Sequence, residues 1–153
     1  MKIRIVTRRS PLAMLQTNEV IERIQLSNPE CICEIIEMES EGDLTDVPLH
    51  TIGGKGLFVS KLETALANGV ADIAVHSLKD VPALIDSQFS IVATLPREDY
   101  GDALLLSEGL TINDLSKNLK IATSGPRRKS QLLAINPKLN IVPIRGNIQT
   151  RIN

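Results

Sequence analysis

Short apolar runs alternate with helical patterns along the whole chain, and this alternation limits the fold more than any other feature. Residues 2–6 alternate apolar and polar side chains, as a strand does, and Ser10 and Pro11 then supply the N-cap and first-turn proline of a helix. The Asn-Pro pair at 28–29 ends that helix, and residues 31–38 predict a second strand. This β-α-β order predicts an α/β fold.

A long polar segment and two further strands complete the first predicted unit. Residues 39–56 predict a loop that ends in a glycine-rich stretch around Lys55, and a helical pattern follows it. Short apolar runs at residues 72–75 and 90–95 predict strands, the first of them suited to a buried parallel sheet. We therefore expect a first α/β domain over residues 1–98.

The strand and helix pattern starts again after the polar segment 96–102, which predicts a hinge. A three-stranded sheet followed by an unfinished helix after Gly146 leaves an apolar face poorly covered. We therefore expect residues 99–153 to be the N-terminal part of a second domain in a truncated chain, which is able to self-associate. The predicted strands are 103–106, 120–123 and 140–144, and the predicted helices begin at Thr111 and Pro126.

Composition argues against several classes of protein. No apolar stretch is long enough to span a membrane, and the N-terminus lacks the apolar core of a signal peptide, so we expect a cytoplasmic location. A net charge of -1 and 2% aromatic residues argue against nucleic-acid binding. Cys31 and Cys33 predict two small core residues of a strand, and with only His50 and His76 besides them we predict no metal site.

Basic residues follow most of the predicted strands. Ligands of open α/β sheets bind beyond the carboxyl ends of the strands, so these positions are where a site is expected. The Arg fork binds carboxylates bidentately, and several cations on one rim predict a ligand with more than one negative group. For any one of them, the alternative is a solvated surface charge. The cations are Arg8, Arg9, Lys79, Arg127, Arg128, Arg145 and Arg151, with Lys55 in the glycine-rich loop.

Hydroxyl groups and one carboxylate also follow predicted strands. Thr123 and Ser124 precede the helix at Pro126, where free amides and the helix dipole favour an anion, although Ser124 is equally well explained as a plain N-cap. Asp80 follows a buried strand beside Lys79, and nearby cations keep such a carboxylate ionised. It can shuttle a proton or stabilise a positive centre, whereas considered alone it is a loop aspartate paired with its neighbours.

Five short stretches occur in a fixed order along the chain. The most diagnostic is ADIAVHSLKDVP at residues 71–82. The others are TRRSPLA at 7–13 with Gln16, GGKGLF at 53–58 with KLE at 61–63, TS and RR at 123–128, and RGN and TR at 145–151. Together they cover essentially the whole chain, which resembles the N-terminal portion of the porphobilinogen deaminase (hydroxymethylbilane synthase) family.

The resemblance implies a transferase of tetrapyrrole (haem) biosynthesis. Such enzymes join four porphobilinogen molecules head to tail, lose ammonia at each step and release hydroxymethylbilane. The implied fold has two domains like those of type II periplasmic binding proteins and a third, smaller domain. That third domain holds a covalent dipyrromethane cofactor on a cysteine, which we expect to be absent from this chain, so we expect neither attached cofactor nor complete catalysis. The implied partners are porphobilinogen and oligopyrrole intermediates, and the full-length family is monomeric.

The resemblance also implies roles for individual residues. Asp80 is the expected catalytic carboxylate, and Lys55 belongs to a loop over the substrate, with Phe58 and Gln16 as weaker candidates. Gly125 stands where the family often has a second Ser, which removes one hydroxyl contact. The residues expected to bind carboxylates of cofactor and substrate are Arg8, Ser77, Lys79, Thr123, Ser124, Arg127, Arg128, Arg145 and Arg151.

Two other classes share the predicted fold and the anionic site. A hinged, non-catalytic binding protein for a small polycarboxylate predicts reversible binding without ammonia release, and the absent signal peptide and the 76–82 stretch argue against it. A regulatory effector-binding domain needs a DNA-binding segment, and none is visible in the sequence.

Overall fold

The structure is a computed structural model that describes residues 1–39, 59–115 and 118–152. The chain divides into two compact units, Met1–Pro96 and Arg97–Asn153, and each contains a parallel β sheet with helices. The predicted α/β class is confirmed. No helix in the described ranges is long and apolar enough to cross a membrane.

The described residues of the first unit contain three strands and two α helices. They are β1 (Lys2–Arg8), α1 (Pro11–Ser27), β2 (Ile32–Met38), α2 (Ser60–Ala67) and β3 (Ile73–Ala74). The sheet order is β2-β1-β3, and β1 pairs in parallel with both neighbours. Ile5, Val6 and Thr7 of β1 are fully buried in succession, as expected for a central strand that is covered on both faces.

The start of α1 follows the local signals in the sequence. Ser10 Oγ accepts a hydrogen bond from the Ala13 amide at 3.3 Å, and Pro11 occupies the first turn, where its missing amide costs no hydrogen bond. Two turns later, Thr17 is fully buried and its hydroxyl contacts that of Thr7 in β1. The helix is thereby fixed against the central strand.

The core of the first unit joins α2 to the sheet. Val6 of β1, Leu62 and Ala65 of α2, and Ala71 just before β3 form one buried cluster. Leu62 has no exposed surface, so its replacement by Ala would cost about 2–5 kcal/mol of stability. This packing fixes the position at which β3 ends.

An ion pair fastens the start of β3 to β1. The Arg4 guanidinium places Nη2 2.6 Å from Asp72 Oδ1 and Nε 3.1 Å from Oδ2, while the Arg4 amide donates to the same Oδ2 at 2.7 Å. These hydrogen bonds lower the pKa of Asp72 to about 2. The bidentate geometry sets the register of the short β3 strand against β1.

The second unit contains a two-stranded parallel sheet. The strands and α helices of its described residues are β4 (Lys120–Ala122), α3 (Pro126–Ile135), β5 (Asn140–Val142) and α4 (Ile148–Ile152). Ile121 of β4 and Leu139, just before β5, are buried. The order again follows the predicted strand, helix and strand from 120 to 144, and the helix after Gly146 is present as α4.

Three predicted elements are wrong. Residues 90–95 and 103–106 form no strand, and their apolar side chains are largely exposed, with Val92 at 80% and Leu105 at 67%. An apolar run predicts a strand only where a partner backbone is available, and neither run pairs with another segment that the structure describes. The helix predicted from Thr111 is a single 3₁₀ turn, Ile112–Asp114, closed by a capping box between Thr111 and Asp114.

Candidate functional site

The first polar cluster lies where β1 and β3 end. The two strands are parallel neighbours, so their carboxyl ends meet at one edge of the sheet. Arg8 is the last residue of β1, and Asp80 lies in the 3₁₀ turn Leu78–Asp80 that follows β3. Arg8 Nη1 is 3.2 Å from Asp80 Oδ2, and each side chain is only 17% exposed. The predicted cation and carboxylate therefore form a partly buried ion pair.

His76 lies in the electrostatic field of this pair. Burial lowers the pKa of the His76 imidazole below its usual value, Asp80 opposes that shift, and Arg8 reinforces it. The neutral ring is therefore the favoured form near pH 7. From the sequence, no role in the site is predicted for His76, which is named only within the 71–82 stretch and in the argument against a metal site.

A hydrogen bond from α1 reaches the same edge of the sheet. Ser77 Oγ donates to Gln16 Oε1 at 2.6 Å, although the two residues lie 61 positions apart. Gln16 precedes the buried Thr17, so the contact between α1 and β1 fixes its position. The structure therefore brings together Arg8, Asp80, Ser77 and the weaker candidate Gln16.

Of the two predicted lysines, Lys79 lies within the described residues. Lys79 is exposed in the 3₁₀ turn beside Asp80, and it forms no ion pair within the described ranges. Lys55, Phe58 and the glycine-rich loop lie outside the described residues.

The second cluster follows β4 in the other unit. Ser124 Oγ donates to the Ile144 carbonyl and accepts from the Ile144 amide at 3.0 Å, so it connects the segments that follow β4 and β5. The N-cap of α3 is Gly125, and it makes no side-chain cap, so the explanation of Ser124 as a plain N-cap is wrong. Thr123 Oγ1 accepts from the Gly125 amide at 3.2 Å, and its own hydrogen has no acceptor among the described residues.

An aspartate that the sequence interpretation missed joins the two arginines of α3. Arg127 Nη1 is 2.7 Å from Asp102 Oδ2, and Arg128 Nε is 2.7 Å from Asp102 Oδ1. Hydrogen bonds from Arg127 and Arg128 lower the pKa of Asp102 to about 2. No local pattern marks this contact, because Asp102 precedes the arginines by 25 and 26 residues.

The last two predicted cations lie beyond β5. Arg145 is half-buried, and Arg151 of α4 donates from Nε to the Gly146 carbonyl at 2.8 Å. Gly146 has a φ of +104°, and a Cβ there would lie 2.7 Å from Thr150 Cγ2, so only glycine fits this turn. The turn directs the chain from β5 into α4 and thereby places Arg151.

Cys31 lies just before β2, and Cys33 is the second residue of that strand. Cys31 is buried, Cys33 is half-buried, and both are free thiols. Burial, with a smaller contribution from Cys31, raises the pKa of the Cys33 thiol. Within the described residues, no group of three or more His, Cys, Asp or Glu side chains is arranged to hold a metal ion.

Comparison with known proteins identifies the family of this chain. The family model described as "Porphobilinogen deaminase, dipyromethane cofactor binding domain" matches residues 3–153. The chain belongs to the porphobilinogen deaminase family. The resemblance predicted from five ordered stretches is therefore confirmed, and the family is one of transferases.

Relatives named porphobilinogen deaminase match the chain from end to end. One from Natranaerobius thermophilus is 47% identical over an alignment of 154 positions, which covers 100% of this chain and 50% of the relative. One from Rickettsia bellii is 48% identical over 152 residues, or 99% of this chain and 51% of the relative. A "probable porphobilinogen deaminase" from Methanopyrus kandleri is 41% identical, with 99% of this chain and 51% of the relative covered. The chain spans about half the length of these relatives.

The chemistry of the second cluster fits the cofactor of the porphobilinogen deaminases. A dipyrromethane made from porphobilinogen carries several carboxylates, for which arginine forks and hydroxyl hydrogens are suitable donors. Thr123 offers a hydroxyl hydrogen, and Arg128 offers two Nη groups that form no hydrogen bond within the described ranges. Cys31 is buried just before β2, and Cys33 is half-buried within that strand.

Proposed function

We propose that the protein acts in the head-to-tail condensation of four porphobilinogen molecules to hydroxymethylbilane, with loss of ammonia at each step. The observation that carries this proposal is the partly buried pair of Arg8 and Asp80 at the carboxyl ends of two parallel strands. Membership of the porphobilinogen deaminase family supports it. We also propose the finer fold class, with domains of the type II periplasmic-binding-protein kind over residues 1–98 and 99–153.

Asp80 has the geometry of a carboxylate that acts on a substrate. Arg8 holds Oδ2, while Oδ1 accepts no hydrogen bond from any described residue. The free oxygen is available to hydrogen-bond to the substrate amine or to lie near the cation that forms when ammonia leaves. Arg8 fixes the orientation of the carboxylate, and Gln16 fixes that of Ser77 next to it.

In this proposal, residues of the second unit bind carboxylates. Thr123, Arg128, Arg145 and Arg151 would hold side-chain carboxylates of the dipyrromethane and of the substrate units, with Ser124 and Arg127 in support. When bound, the dipyrromethane supplies the pyrrole onto which substrate units are joined. In the first unit, Lys79 and Lys55 would add positive charge that offsets the negative charge of the substrate carboxylates.

Release of ammonia distinguishes this function from simple binding. We would replace the N-terminal half of the Natranaerobius thermophilus relative with this chain and measure ammonia released from porphobilinogen. The unmodified relative and its isolated C-terminal half serve as positive and negative controls. We expect the chimera to release ammonia at a rate within about tenfold of the relative. Saturable binding of porphobilinogen without ammonia release would favour a non-catalytic polycarboxylate-binding protein instead.

A further inference from the structure

Asp102 lies between the guanidinium groups of Arg127 and Arg128, and it contacts them in different ways. Its carboxylate contacts both Nη atoms of Arg127, Nη1 at 2.7 Å and Nη2 at 3.1 Å, but it contacts Arg128 only at Nε, at 2.7 Å. Resting on the proposed function, we infer that Asp102 is a positioning residue. It occupies the Nη edge of Arg127, and it holds Arg128 so that the Nη edge of Arg128 faces a substrate carboxylate. The sequence alone treats the two arginines as equivalent.

The Nη edge of Arg127, which could otherwise bind a ligand carboxylate, is occupied by Asp102. Its Nη1 and Nη2 atoms form the bidentate contact with Asp102, and Nη1 also donates to Gln131 Oε1 at 2.7 Å. A ligand carboxylate could occupy that edge only by displacing Asp102. Arg127 therefore acts mainly by holding Asp102.

The Arg128 guanidinium is held by Asp102 at Nε, and its Nη edge is available to a ligand. Its Nε is bonded to Asp102, whereas Nη1 and Nη2 donate to no group in the part of the chain that the structure describes. The side chain passes over Gly125, where an added Cβ would lie 3.6 Å from Nη1 and 3.7 Å from Cδ. Two adjacent N–H groups on a fixed guanidinium are the arrangement that binds a carboxylate bidentately.

Asp102 has two opposing effects on an anionic ligand. It reduces the net charge of the cluster from two positive charges to one, which weakens attraction. It also restrains a long side chain that otherwise loses its freedom on binding, and such restraint improves affinity by about twofold to tenfold per side chain. Because Asp102 and the ligand lie on opposite edges of an exposed guanidinium, water and salt screen their repulsion. The restraint is therefore expected to dominate.

The test uses the whole chain labelled with ¹⁵N-arginine and titrated with porphobilinogen at physiological ionic strength. We expect Arg128→Gln to weaken binding by about tenfold or more, because it removes a charge-assisted hydrogen-bond pair. Asp102→Asn and Arg127→Gln should each weaken it by about threefold to tenfold. In Asp102→Asn, the Nε–H resonance of Arg128 should also lose its hydrogen-bonded chemical shift. Asp102→Glu should restore part of the affinity.

Glu108→Gln provides the matched control, because it removes the same charge from the same unit. Glu108 is exposed and has no ion pair within the described residues, so affinity should stay within about twofold. Tighter binding by Asp102→Asn, or equal losses in Arg127→Gln and Arg128→Gln, would overturn the inference while leaving the proposed function standing. If the unmodified chain fails to bind porphobilinogen, both the inference and the carboxylate-binding part of the proposed function are refuted.

Discussion

Two buried threonine hydroxyls next to the candidate site allow a quantitative test of the fold. Thr17 Oγ1 lies 2.8 Å from Thr7 Oγ1 and 2.8 Å from the Ala13 carbonyl oxygen. A hydroxyl has one hydrogen and the carbonyl can only accept, so Thr17 donates to Ala13 and accepts from Thr7. Both threonine side chains are fully buried, and no water can replace either partner without repacking.

The direction of these bonds predicts unequal costs for two similar substitutions. Thr17→Val leaves the Thr7 hydrogen buried without an acceptor, which costs about 1–3 kcal/mol of unfolding free energy. Thr7→Val leaves Thr17 bonded to Ala13 and should cost about 0.5–1.5 kcal/mol. The double variant replaces both hydroxyls by methyls of the same shape, so it should cost clearly less than the sum of the single variants.

Urea unfolding followed by circular dichroism measures these free energies, and hydrogen exchange of β1 amides reports on the first unit alone. Thr64→Val is the matched control, because Thr64 makes the same bond to the carbonyl four residues before it, at 2.9 Å from Ser60 O, but is exposed. That variant should change stability by less than about 0.5 kcal/mol. A Thr17→Val variant as stable as this control, or strictly additive costs in the double variant, would refute the reasoning.

Two further predictions concern the pH dependence of stability. Burial lowers the pKa of His76 below its usual 6.5, so its neutral form stabilises the fold fully above that pH and loses this effect as the pH falls through the folded pKa. In His76→Gln, the urea midpoint should therefore vary less with pH over that range. Arg4 lowers the pKa of Asp72 from 3.8 to about 2, so this stabilisation is complete above about pH 4 and is lost towards pH 2. In Asp72→Asn, stability should fall less between about pH 4 and pH 2. If either variant keeps the pH profile of the unmodified chain, the role assigned to that residue is contradicted.

Local signals and pairing partners explain which elements the sequence predicts. Ser10 and Pro11 define the start of α1 by themselves, because an N-cap and a first-turn proline act on the adjacent backbone. The apolar run 90–95 looks equally strand-like, yet a strand needs a partner backbone, and no pattern in the run shows whether one exists. Helix ends are therefore better predicted here than the strands of unpaired segments.

In the candidate site too, contacts that follow from strand topology could be predicted, whereas contacts with a distant irregular segment could not. Arg8 and Asp80 were predicted at one sheet edge, because the carboxyl ends of neighbouring parallel strands meet there, and their ion pair follows from that topology. Asp102 was missed, because its contacts with Arg127 and Arg128 depend on how a segment without regular structure passes α3. Long-range contacts of this kind leave no periodic signal in a single sequence.

The rate of ammonia release by the chimera carrying Asp80→Asn tests the central claim most directly. Asn keeps the shape of the side chain but removes its charge and its capacity to exchange a proton, so the rate should fall by about 100-fold or more while porphobilinogen still binds. Asp86→Asn is the control, because Asp86 is exposed and its side chain accepts, within the described residues, a single hydrogen bond, from the Gln88 amide at 3.0 Å. Its rate should match that of the unmodified chimera. A near-normal rate for Asp80→Asn would contradict the assignment of Asp80 as the catalytic carboxylate.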